Sequence, residues 1–188
     1  MKKRFNFIKK KKHPIKIKRE PIIDNRGSFE RLFCQKEFNS LIKKKNIVQI
    51  NRAFTENKAT IRGMHYQVGN TAEDKIVTCL RGRVFDVVID LRKKSKNFLK
   101  WYSCILDEEK NISTFVPHGF AHGYQALTNN CELIYFHTDY YDKSESKIIN
   151  CFDPLINIKW PLKFKLVSKK DMNKKFIKKK FSRYINEL

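Results

Sequence analysis

Apolar and polar positions alternate in short runs through the middle of the chain, with turn residues between them. Residues 76–80 and 84–91 are two runs rich in Val, Ile and Phe, separated by Arg81-Gly82-Arg83, which reads as a hairpin. Residues 101–106 and 112–116 form two more, joined by the polar stretch 107–111, and residues 132–137 form another. Within 84–91, Asp86 and Asp90 fall on one face and Phe85, Val87 and Ile89 on the other, because strand side chains alternate. Turn signals recur about every ten residues, the spacing of sandwiches and double-sheet jelly rolls. Helical stretches are expected over residues 35–45 and in the Lys-rich C-terminus. With no internal repeat and no Pro/Gly-rich linker, the pattern predicts one all-β domain over residues 1–188 with short peripheral helices.

Composition narrows the class. At 41% hydrophobic and 13% aromatic, the 188 residues suit one globular domain with a sizeable core. No apolar run approaches the roughly 20 residues that span a bilayer. The basic N-terminus is not followed by an apolar h-region or a small-residue cleavage site. The chain therefore reads as soluble and cytoplasmic, with no membrane partner. The five cysteines are scattered and form no C-x-x-C, which points to reduced, mostly buried thiols. The net charge of +22 invites a nucleic-acid reading, but its distribution argues against one. Residues 1–20 carry ten Lys/Arg against one acid and residues 163–188 ten against two, leaving +5 for the other 142 residues. Residues 1–12 and 173–188 read as basic arms on the domain. A basic surface still attracts an anionic nucleotide diphosphate.

Three segments could carry chemistry. Arg62-Gly63-Met64-His65-Tyr66-Gln67 fits a base beside an anion-binding Arg, or a structural His near a turn. Pro117-His118-Gly119-Phe120-Ala121-His122-Gly123 matches the P-x-G-x-x-H half of the cupin pattern, the signature of a double-stranded β-helix. The H-x-H half reads His65-Tyr66-Gln67, so one ligand is missing. Two histidines make a poor metal site, and none is expected. His122 is then either a substrate hydrogen-bonder or a buried structural His. Tyr135-Phe136-His137-Thr138-Asp139-Tyr140-Tyr141 is an aromatic stripe that suits a core or a site. Tyr135 and Tyr141 share a face if the strand is regular.

Together these segments resemble the dTDP-4-dehydrorhamnose 3,5-epimerase family. The resemblance runs from about Asp24 to Asp171 through Asp24-Asn25-Arg26-Gly27, Gln49-Ile50-Asn51, Arg62 to Gln67, and Asp74-Lys75-Ile76-Val77. It continues through Gly82 to Arg92, Val116 to Gly123, Tyr135 with Asp139-Tyr140-Tyr141, Asp153-Pro154, Ile158 to Pro161, and Ser168-Lys169-Lys170-Asp171. Each piece is weak; the ordered set is specific. It implies a cupin-like jelly roll and a homodimer. It also implies His65 as catalytic base, Asp171 as its orienting partner, Tyr135 as proton donor and Lys75 as a ligand near the substrate carbonyl. Arg26, Gln49, Asn51, Arg62, His122 and Lys170 match positions that contact substrate or nucleotide, and Tyr141 the aromatic that stacks on the base.

Such roles suit the chemistry. A C–H beside a ketone is acidic because its carbanion spreads onto the carbonyl oxygen. A His base works near neutral pH. A carboxylate on its second nitrogen fixes the tautomer. A cation beside the enolate lowers the barrier, and inversion needs a second acid on the opposite face. No cofactor is required. The implied reaction converts dTDP-4-dehydro-6-deoxyglucose to dTDP-4-dehydrorhamnose. Three departures bear on that substrate: Arg31 and Ser146 stand where the family has Glu, and Cys151-Phe152 precede Asp153-Pro154 where it has W-N. They leave the proton chemistry intact and leave open a 3-only or 5-only epimerase or a CDP- or GDP-sugar. The rival from another class is a non-catalytic cupin binding module, against which His65, Tyr135, Lys75 and Asp171 together argue.

Overall fold

Residues 83–90 show how the β pattern becomes layers. In the computed structural model, which describes residues 4–8, 15–43, 45–172 and 175–177, this strand sends Val84 and Val88 to one core and Val87 and Ile89 to another. It is buried on both faces because two sheets pack together and each is covered again from outside.

One sheet contains β1 (Phe5–Ile8), β2 (Ile15–Arg19), β5 (Gln49–Thr55), β7 (Lys75–Arg81), β10 (Ile112–Val116) and β12 (Cys131–His137), in the order β1-β2-β10-β7-β12-β5. The other contains β6 (Thr60–Gln67), β8 (Arg83–Asp90), β9 (Trp101–Asp107), β11 (Phe120–Ala126) and β13 (Ser146–Ile148), in the order β13-β6-β11-β8-β9. A short β14 (Leu166–Val167) lies parallel to β6; every other pairing is antiparallel. A separate hairpin joins β3 (Ile22–Asp24) and β4 (Gly27–Phe29). This is the expected jelly roll. The core between the sheets holds Val77, Leu133 and Val116 from the first and Val88, Leu106 and Tyr124 from the second.

The hairpin expected across Arg81-Gly82-Arg83 does not form. β7 pairs with β10 and β12, while β8 pairs with β9 and β11. Gly82, at φ +75°, turns the chain from one sheet to the other, and a Cβ there would lie 2.6 Å from the Thr128 hydroxyl. The helix expected over residues 35–45 is one turn, α1 (Gln35–Phe38), followed by further turns. Phe38 is fully buried on the outer face of the first sheet, edge-on to Phe5 at 4.7 Å and Phe7 at 5.4 Å. The N-terminal arm therefore contains a strand whose Phe5 is core; residues 1–3 and 9–12 of that arm lie outside the described residues.

Residues 149–167 cover the outer face of the second sheet with Ile149, Cys151, Ile156 and Val167. The chain then enters α2 (Lys169–Met172), which is all that is described of the expected C-terminal helix. Of the C-terminal arm only residues 175–177 are described, and there the Ile177 amide donates to Asp153 Oδ2 at 2.6 Å. Among the described residues no helix is long and apolar enough to cross a membrane.

Phe38→Ala is expected to cost about 3–5 kcal/mol, because it empties a closed aromatic cluster remote from the space between the sheets. Urea denaturation measures this; a loss under about 1 kcal/mol would mean that the cluster collapses to refill the void.

Candidate active site

A hollow of about 570 Å³ opens between the two sheets. β5, β7 and β12 form one wall, β6 and β11 the other, and the segment running from β14 into α2 closes an edge. A smaller hollow of about 270 Å³ adjoins it and shares Asn51, His65, Lys75, His137 and Lys170.

Arg62 and His65 both line the larger hollow, although residues three apart on a regular strand face opposite ways. The register explains this. His122 lies opposite His65, but Tyr124 lies opposite Arg62, so β6 carries one residue more than β11 between those pairs. This β-bulge reverses the alternation and brings both side chains to one side. It is possible because Gly63 meets Gly123: a Cβ on Gly63, at φ +124°, would sit 2.5 Å from the Gly123 Cα.

His65 Nε2 lies 2.7 Å from Asp171 Oδ1, across 106 residues of sequence. The Asp171 side chain is buried, whereas that of His65 is half-exposed to the hollow. Burial pushes the Asp171 carboxyl upward. Hydrogen bonds from His65, the Gly63 amide and Ser168, with the charge on His65, outweigh burial and hold it below its ordinary value. An ionised carboxylate only accepts, so Nε2 carries hydrogen, and in the neutral ring Nδ1 is left as the acceptor.

Tyr135 faces His65 from the other sheet. Burial, then Tyr124 and Asp86, push its phenol well above the usual value, against a smaller opposing effect of Arg62. It therefore holds its proton until a stronger base forms beside it. Its ring stands edge-on to His122 at 5.9 Å, and His122 Nε2 meets Asp86 Oδ1 at 2.6 Å in a buried pair. Arg62 donates to Thr55 Oγ1 at 2.9 Å and to the Phe54 carbonyl at 3.0 Å, and Thr55 Oγ1 lies 2.7 Å from the Tyr124 hydroxyl.

Lys75 extends from the start of β7 to Glu73 Oε1, 2.7 Å away. Behind it His137 stacks on Tyr135 at 6.1 Å. Burial, then the Lys75 ammonium, lower the His137 imidazole to about 4, with Glu73 opposing. Asn51 Nδ2 lies 3.3 Å from His137 Nε2 and can only donate, which leaves hydrogen on Nδ1, facing Glu73.

Of the residues singled out from sequence, His65, Tyr135, Lys75, Asp171, Asn51, Arg62, His122 and Lys170 line the larger hollow. Gln49 and Tyr141 line the smaller one. Tyr141 does not share a strand face with Tyr135: β12 ends at His137, and Tyr141 lies exposed on the following loop. Arg26 is outside both hollows, on the β3–β4 hairpin, with its guanidinium on Asp24 at 2.6 Å. Glu73 belongs to no motif, and His137 lies within the aromatic stripe of residues 135–141 without being given a role of its own. The sequence signal that could have found them is parity, since each stands two residues from a singled-out one, Lys75 and Tyr135.

The sequence profile of the dTDP-4-dehydrorhamnose 3,5-epimerase family matches residues 12–179. The chain belongs to this family. It is 39% identical over 156 residues to the dTDP-4-dehydrorhamnose 3,5-epimerase of Shigella flexneri, covering 82% of this chain and 86% of that one. Its fold superposes with a TM-score of 0.83 on the dTDP-6-deoxy-D-glucose-3,5-epimerase of Legionella pneumophila, solved in complex with dTDP-4-keto-L-rhamnose. The identity there is 34%, and 89% of each chain is covered. It also superposes, at TM-score 0.75 and 28% identity over 83% of this chain and 80% of the other, on a 3′-monoepimerase of Streptomyces bikiniensis solved with dTDP-quinovose. As a member of the dTDP-4-dehydrorhamnose 3,5-epimerase family the protein is an isomerase, and the hollow between its sheets is the candidate active site.

The depressed imidazole makes a stability prediction. A His whose folded pKa is lowered favours folding fully above its unfolded value, about 6.5, and loses that contribution as pH falls towards 4. Relative to His137→Gln, the wild-type protein is expected to lose on the order of 3 kcal/mol between pH 7 and pH 4. Urea titrations at the two pH values test it; an unchanged gap between the proteins would show that the ring is not held neutral.

Proposed function

We propose that the protein epimerises dTDP-4-dehydro-6-deoxyglucose to dTDP-4-dehydrorhamnose, with His65 as base and Tyr135 as acid. The observation that carries this reading is the opposition of His65 and Tyr135 across one hollow, with a buried Asp171 on the outer nitrogen of His65. His65 Nδ1 takes a proton from a carbon beside the C4 ketone. The electron pair moves onto the ketone oxygen, and the Lys75 ammonium offsets the charge. Asp171 stabilises the imidazolium. Tyr135, on the other sheet, delivers a proton to the opposite face, which inverts the centre. C3 and C5 both flank C4, so one hollow serves both. The proton steps leave the sugar's oxidation state unchanged, and the reading needs no cofactor.

The smaller hollow takes the nucleotide in this reading. Tyr141 offers an exposed ring for the base, and Arg62, Lys75 and Lys170 make the walls attractive to a diphosphate. Asn51, Gln49 and His122 supply hydrogen bonds. Arg26 has no place in its own hollow, and its hairpin exposes Ile22, Ile23 and Phe29. It serves a site if the protein is a homodimer in which the hairpin of one copy approaches the hollow of the other. We place the reaction in the cytoplasm, feeding surface-polysaccharide synthesis. Inversion at C3 alone is the second reading, favoured by the likeness to the 3′-monoepimerase.

NMR in D2O with dTDP-4-dehydro-6-deoxyglucose separates these steps. His65→Ala is expected to abolish both epimerisation and C–H exchange, by at least about 10²–10⁴-fold. Tyr135→Phe is expected to stop inversion while still exchanging deuterium into unepimerised substrate. Persistent exchange in His65→Ala would remove His65 from the role of base. Deuterium at C3 alone in the wild-type product would decide for the monoepimerase reading.

A further inference from the structure

Glu73 takes no part in the mechanism above, yet its carboxylate is buried at the junction of the two hollows. Its side chain is 4% exposed. Oε1 holds the Lys75 ammonium at 2.7 Å, and Oε2 accepts from Gln67 Nε2 at 2.9 Å. His137 Nδ1 stands 4.0 Å from Oε1. Each oxygen of this buried side chain thus has a donor, one of them charged, which offsets the cost of placing it away from water. The same contacts restrain Lys75, whose four-carbon stem would otherwise sample many rotamers. A cation stabilises developing charge best when it is in place beforehand.

Gln67 extends the arrangement. Its Nε2 also faces the carbonyls of Thr71 at 2.9 Å and Tyr140 at 3.0 Å, and its Oε1 accepts from the Asp142 amide at 2.7 Å. One amide therefore grips Glu73 and both backbone neighbours of Tyr141. The Tyr141 amide itself donates to Gln49 Oε1 at 3.0 Å, and Gln49 reaches Asn51 at 3.2 Å. The loop that presents Tyr141 and the side chain that presents the ammonium are joined through Gln67 and Glu73.

We propose that Glu73 is a positioning residue acting through Lys75, and that Gln67 couples its placement to the loop carrying Tyr141. Binding of the nucleotide part of the substrate on that loop then tightens the hold on the ammonium before proton abstraction, which converts remote binding energy into rate. The proposal rests on the reading of Lys75 as the cation beside the enolate.

A double-mutant cycle tests it, with single-turnover rates by NMR so that slow variants stay measurable and dTDP binding by calorimetry. Glu73→Gln is expected to lower the rate at least tenfold while the Kd for dTDP stays within threefold. Glu73→Gln combined with Lys75→Met is expected to react within threefold of Lys75→Met alone, because a residue acting through another adds nothing once that one is gone. Gln67→Leu is expected to weaken dTDP binding and slow the reaction together. A wild-type rate in Glu73→Gln, or multiplied losses in the double variant, overturns the proposal and leaves Lys75 in its role. A near wild-type rate in Lys75→Met overturns the reading of Lys75 and the proposal with it. A Gln67→Leu variant that loses dTDP affinity at an unchanged rate overturns the coupling. If Glu73→Gln does not fold, Glu73→Asp, which keeps the charge and shortens the reach, is put through the same cycle with the same thresholds.

Discussion

The close approach of β6 and β11 at Gly63 and Gly123 is the constraint on which the site depends. No side chain fits between these backbones, so both positions lack one. The extra residue in β6 at this point shifts the register by one, and every side chain beyond it changes face. Arg62 and His65 thereby come to line the same hollow. With regular pairing, one of them would point into the outer layer of Ile149, Cys151 and Ile156.

That outer layer does more than cover the sheet. Residues 149–167 bury apolar side chains against β6, β8 and β11, and their last two run beside β6 as β14. The one-turn α2 that follows delivers Asp171 to His65, while the Asp171 amide bonds back to Ser168. Hydrophobic burial of the segment thus supplies the free energy that holds a carboxylate in a place costly to charge. Hydrogen bonds from the imidazole, the Gly63 amide and the Ser168 hydroxyl keep it ionised there.

Three histidines near the hollow show how environment assigns roles. His65 has one nitrogen on a buried carboxylate and an open ring edge. His122 is wholly buried with Asp86 and supports the Tyr135 ring. His137 sits behind that ring beside an ammonium, which with burial keeps it neutral. The same side chain is an open-edged ring on a carboxylate, a strut and a neutral spacer, and solvent access with the sign of the neighbouring charge decides which.

The strands, the jelly-roll class and most of the residues lining the candidate site were legible in the sequence, because alternation and ordered motifs are local signals. Asp86 already stood out by parity on its strand, and His65 and Tyr135 by their neighbours. Local pattern could not tell a hairpin from a crossing between sheets at Gly82, since a glycine turn serves both. It gave Tyr141 the face of Tyr135 because it could not see β12 stop at His137. It proposed an arm where Phe5 is core, because a lysine-rich surround masks a short strand. Glu73 was silent and His137 had no role beyond its place in the aromatic stripe, for their meaning lies in partners elsewhere in the fold. The sequence by itself determined which side chains were candidates to move protons and that the chain would fold into paired β layers. Only the tertiary structure decided which of them meet, because a one-residue bulge sets the faces of β6 and a buried segment carries Asp171 across 106 residues to His65.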